Sequence, residues 1–178
     1  MPPASQLRAI SAIESPSERA SYLTHAGEAA FHTPEDPEGH RTALCVALAS
    51  SLLQLRDPGS ALAALDALPE GRRSNNEAAL RAHALLWLGR VNEAITLHGA
   101  RPTPAGAWLD ALRDAVDLAH APLIASTAGE LFAGEMNDRQ RVRYDARLAR
   151  LASVDETQDP DPAPDAGNLD PPTESSGG

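Results

Sequence analysis

A chain of 178 residues, 42% apolar and 3% aromatic, is long enough for one domain with a core or for a short array of stacked units. Its 25 acids against 15 arginines, with no lysine, give a net charge of −10, a poor match to a dedicated nucleic-acid binder. The single cysteine, Cys45, excludes an internal disulfide and a cysteine-only metal cluster, and no run approaches the roughly 18 apolar residues that span a membrane.

The opening "MPPASQLRAI" has one arginine and no long apolar run, so it does not read as a signal peptide, and a cytoplasmic location is expected. A first helix is predicted over residues 4–14. Ser15-Pro16-Ser17-Glu18 is a capping box with proline at the first helical position, and it opens a helix over 16–31. "HTPEDPEGH" separates this from a helix over 39–56, and Asp57-Pro58 starts another over 58–67. After "PEGRRS", Ser74-Asn75-Asn76-Glu77 is a second capping box for 74–89; Gly89 then turns the chain into 91–99. Thr103-Pro104 opens 104–119, a helix over 121–134 follows, and Asn137-Asp138-Arg139-Gln140 resembles a third capping box for 137–152. The apolar runs between these points recur at helical period, none alternates as a strand does, and alanine supplies roughly a fifth of the chain. An all-α protein is expected.

Beyond Ser153 the composition turns to proline, aspartate, glycine and serine, with seven acids and no arginine in 153–178. Such a segment buries too little apolar surface to offset its ordering entropy and is expected to be disordered. The remaining 18 acids against 15 arginines leave residues 1–152, the expected helical domain, near −3.

A shift of 33 residues aligns Ala49 with Ala82 and Ala115, Leu52 with Leu85 and Leu118, and Cys45 with Ala78 and Ala111. Ala61 meets Ala94 and Thr127, and Leu62 meets Ile95 and Ala128. Small residues recurring on one helix, with an alanine on the next, suit helices packed at close range. The stretch "LLWLGRVNEAITL" resembles the tetratricopeptide repeat: Gly89 matches its inner turn, Ala94 the small residue of its second helix and Ala82 that of its first. The resemblance covers about 42–134, with Arg56 at the turn glycine of the preceding unit and Pro122 at that of the next. It implies a right-handed superhelix of stacked antiparallel hairpins, closed by a C-terminal capping helix, with first helices lining a concave groove.

On this chain that groove would carry Val46, Ser50, Leu53 and Gln54, then Asn76, Ala79, His83, Leu86 and Trp87, then Leu109, Leu112, Val116 and His120. An apolar face with few polar handles suits an amphipathic helix or extended peptide. Trp87 and Trp108 stand either as hot spots or as core. Some members of the family clamp a peptide carboxylate with cations, but the matching positions hold Val46, Ser50 and His83, so that activity is not expected. The expected partner is another protein, with self-association a further mode.

Arg139, Arg143, Arg147 and Arg150 recur at i, i+4, i+8 and i+11 on the last helix, a stripe able to meet phosphates with Tyr144 beside it. The rival reading is therefore a nucleic-acid-associated protein, with the acidic tail covering the stripe; the plain one is a solvated face. Val142, Leu148 and Leu151 would seal the array from the opposite side. His25, Glu28 and His32 share a helical face but stretch over two turns, which converges poorly on a metal ion. No nucleophile elbow, phosphate loop or dinucleotide fingerprint is present, and Cys45 in "ALCVALASSLL" reads as a buried thiol. A non-catalytic interaction module without cofactor is the expectation.

Overall fold

Polar side chains at most of the expected points set the helix starts. The computed structural model describes Ile10 and residues 12–31, 39–68 and 74–156, and among them are eight helices and no strand. They are α1 (Pro16–Phe31), α2 (His40–Gln54), α3 (Pro58–Asp66), α4 (Asn75–Trp87), α5 (Val91–Ala100), α6 (Ala105–Asp114), α7 (Ala121–Phe132) and α8 (Asp138–Glu156). Most of the helix expected over 4–14, and the chain after Glu156, lie outside the described residues.

Ser15 Oγ accepts the Glu18 N–H at 3.4 Å, Asp57 Oδ1 that of Ser60 at 2.9 Å, and Ser74 Oγ that of Glu77 at 3.1 Å. Each satisfies a donor that helix geometry leaves open. Asn137 and Gln140 complete a reciprocal box, each side chain accepting the other's backbone N–H at 2.9 and 3.0 Å. Thr103 departs from expectation. Its Oγ1 accepts the Trp108 indole N–H at 2.9 Å, and Pro104 is the N-cap of α6, which has no side-chain cap.

Two hairpin turns repeat one design 33 residues apart. Gly89 has φ +75°, with Gly89 N–H on Leu86 O and Arg90 N–H on Leu85 O. Arg56, with φ +63°, repeats this with Arg56 N–H on Leu53 O and Asp57 N–H on Leu52 O. The left-handed backbone strains any residue but glycine, so Arg56 holds it at a cost. The third turn differs: α6 stops at Asp114, short of the expected 119, and a loop over 115–120 leads into α7.

Packing follows the small-residue columns. Ala49, Ala82 and Ala115 are fully buried, as are Ala61, Ala94, Ala78 and Ala111, with Cys45 nearly so. The leucine column diverges, with Leu52 half-buried, Leu85 buried and Leu118 exposed. α2 touches α4, α4 touches α6 and α6 touches α8, while α3, α5 and α7 each pack on the helix before them. Trp108 and Phe132 meet edge to face at the centre, ring centroids 5.9 Å apart. α8 is held otherwise than expected. Val142 is 68% exposed and Leu148 exposed, and the packing comes from Leu151 and Tyr144, whose hydroxyl donates to Ala125 O at 2.9 Å. That hydroxyl occupies the space a Cβ on Gly129 would need.

Candidate functional site

The row α2–α4–α6–α8 carries the residues expected to line a groove, and most of them face inward. Leu86, Leu109 and Leu112 expose nothing, and Leu53, Trp87 and Val116 are buried with them. Each middle helix of the row is enclosed by the helices before and after it and by its hairpin partner, so a wide arc becomes core. These six residues are therefore part of the packing. Trp108, fully buried, belongs with them.

What remains at the surface is polar. Val46 and Ser50 are half-buried on α2, and Asn76 is exposed, lining an open recess of about 440 Å³ with Asn75, Ala79 and Pro102 to Pro104. His83 is buried behind them, its ring stacked on Trp87 with centroids 5.8 Å apart and 22° between planes. The Arg56 guanidinium sits 5.5 Å over the Trp87 ring, and His120 Nε2 donates to Trp87 O at 3.2 Å. Arg56 thus covers the Trp87 ring from one turn, while His120 holds its carbonyl from another.

A charge network crosses the same face. His83 Nε2 donates to Asp114 Oδ2 at 3.0 Å, and Arg113 grips both oxygens of Asp114 at 2.7 and 2.9 Å. Arg143 reaches from α8 to Asp110 at 2.5 Å, where Arg113 stands at 3.6 Å. Burial pulls the His83 imidazole below its ordinary 6.5, and Asp114 offsets this only in part, so the ring is neutral at pH 7. Burial alone would raise Asp114, but the Arg113 hydrogen bonds and charge, with His83, hold it below 3.8.

The arginine stripe is largely an inter-helix contact. Arg143 is committed to Asp110, Arg150 lies 3.6 Å from Asp117, and Arg147 donates from Nη1 to Arg143 O at 2.9 Å. Arg139 is exposed. Two of the four cations thus face carboxylates, Asp110 on α6 and Asp117 in the loop that follows it. Arg147 Nε is covered by its surroundings and has no hydrogen-bond partner. Burial, then the neighbouring Arg143, depresses its pKa from the ordinary guanidinium value.

Two features had no part in the sequence expectation. Asp110 and Asp117 lie 33 residues before Arg143 and Arg150, so applying the shift to charges as well as alanines would have paired them. Glu77, fully buried, accepts from Arg81 Nε at 2.6 Å on one oxygen and from Arg101 Nη2 at 2.7 Å on the other. Arg81 also bonds Asp66 and Leu65 O, tying α3, α4 and the end of α5 together. On the side of α3 and α5, an open hollow of about 380 Å³ is lined by Leu62, Leu85 and Leu97 and by the paired Arg81–Asp66 and Arg90–Glu93.

Cys45 is buried and, among the described residues, no group of three or more His, Cys, Asp or Glu is placed to hold a metal ion. The Glu28 side chain and His32 fall outside the described positions. No described helix is long and apolar enough to cross a membrane. Compared with models of known families, with curated proteins and with solved structures, the chain has no match.

Proposed function

We propose that the chain is a non-catalytic protein-interaction module: a short array of hairpins of the tetratricopeptide type whose row of first helices holds a segment of a partner protein. The observation that carries this is the succession α2–α4–α6–α8, each helix touching the next, with the 33-residue columns Ala49–Ala82–Ala115 and Cys45–Ala78–Ala111 buried along its first three members. Helices stacked this way present one continuous face, and arrays of this kind act through such faces. With the aliphatic candidates enclosed, the partner chemistry that fits is polar and charged. Ser50, Arg113 and Asp114 are its handles, with the buried His83 bonded to Asp114 behind them.

The test is affinity capture with the full chain, with and without nuclease, comparing wild type with Ser50→Glu and Arg113→Glu variants of unchanged melting temperature. A protein retained stoichiometrically by the wild type and lost from both variants supports the face. Retention unaffected by either variant removes it. Recovery abolished by nuclease turns the function to nucleic acid, with Arg139 and the exposed part of Arg150 as contacts.

A further inference from the structure

The charges on this face do not balance. Arg113, Arg143 and Arg147 share two carboxylates, Asp110 and Asp114, and Asp114 is also taken by neutral His83. Arg150 and Asp117 form a separate pair. One guanidinium, Arg147, is left with a backbone carbonyl on Nη1 and nothing on Nε. Its long side chain can swing outward to a carboxylate, which would satisfy the N–H and ease the crowding with Arg143 and Arg113.

Resting on the reading of the first-helix row as the binding face, we propose that Arg147, flanked by Arg113 and Arg143, is a carboxylate-binding site, and that its occupant is the acidic stretch Asp159 to Asp165 of the same chain. Residues 157–178 hold five carboxylates and no arginine or histidine, whereas this corner holds the unbalanced cation. Arg147 lies nine residues before Glu156, the last residue of α8, or about 14 Å along the helix. Asp161 and Asp165 follow Glu156 by five and nine residues, a reach of up to about 17 and 30 Å. An exposed ion pair between separate molecules is weak, but tethering gives the chain's own carboxylates an effective concentration in the millimolar range. The acidic stretch then competes with any partner that offers carboxylates to this corner.

The test uses the full chain and the Arg147 Nε–Hε signal in ¹⁵N NMR. Changing Asp159, Asp161 and Asp165 to Asn should move that signal, and about 0.5 M salt should move the wild-type signal to the same place. A labelled peptide of residues 157–178 should bind the neutralised chain about fivefold or more tighter than the intact chain, and Arg147→Gln in the neutralised background should abolish that binding. A signal unmoved by the three substitutions overturns the proposal. So does equal peptide affinity for intact and neutralised chains, or affinity indifferent to Arg147→Gln. None of these readouts needs an external partner, so failure to capture one would remove the proposed function while leaving them in force.

Discussion

At Glu77 both carboxylate oxygens are held by guanidiniums from different places, Arg81 on the same helix and Arg101 just beyond α5, with the carboxylate wholly buried. Replacing Glu77 with Ala leaves Arg101 without its counter-charge and Arg81 with Asp66 alone. The expected cost is about 3–5 kcal/mol, read as a lower urea midpoint at unchanged slope. His83 governs pH dependence instead. Burial, opposed by Asp114 and Asp110 and aided by Arg113, holds its folded pKa below 6.5. In the window just below pH 6.5 the unfolded chain therefore binds a proton the folded one does not. Stability rises with pH through that window and gains nothing more from His83 above it. A His83→Gln variant should lose that part of the slope; an unchanged slope would show that His83 charges in place. Asp114, held below 3.8, acts at lower pH, where its contribution is lost as pH falls.

Among elements, the turns show what a sequence can and cannot announce. Gly89 was legible because the left-handed turn favours glycine, and the structure puts it at φ +75°. Arg56 breaks the pattern in letters yet keeps the conformation, because the hydrogen bonds on either side are those of the Gly89 turn. Arg56→Gly should be more stable than Arg56→Ala by about 1 kcal/mol in chemical denaturation, since both lose the contact over Trp87 and only alanine keeps the backbone strain. Capping boxes were equally legible, being local chemistry. The early stop of α6 was not: no glycine or proline stands between Gly106 and Pro122, so nothing local marks Asp114 as the end. The burial of the aliphatic candidates was not legible for a related reason. Periodicity tells that Leu86, Leu109 and Leu112 share an apolar side, but how wide an arc is enclosed depends on how many neighbours each helix has.

For the molecule as a whole, the buried alanines set the spacing of the row. Ala82 lies on α4, which touches both α2 and α6. Ala82→Leu forces extra volume between both pairs of helices, an expected loss of about 1–3 kcal/mol. For a chain of this size that lowers the melting temperature by roughly 2–4 °C per kcal/mol. Circular dichroism and tryptophan fluorescence should shift together, because Trp87 and Trp108 sit on the two helices adjoining that contact; separate transitions would show that the halves melt independently.

The sparse hold on α8 has a kinetic meaning. No described side chain from Asp138 to Ser153 is buried, and the helix is kept in place by Tyr144, Leu151 and ion pairs to α6 and the loop after it. An element attached so lightly opens on its own, ahead of the global transition, and its amides should exchange with deuterium well before those of α4. The five arginines from Arg139 to Arg150 would then meet trypsin first, shortening the molecule from this end while the alanine-packed helices stay whole.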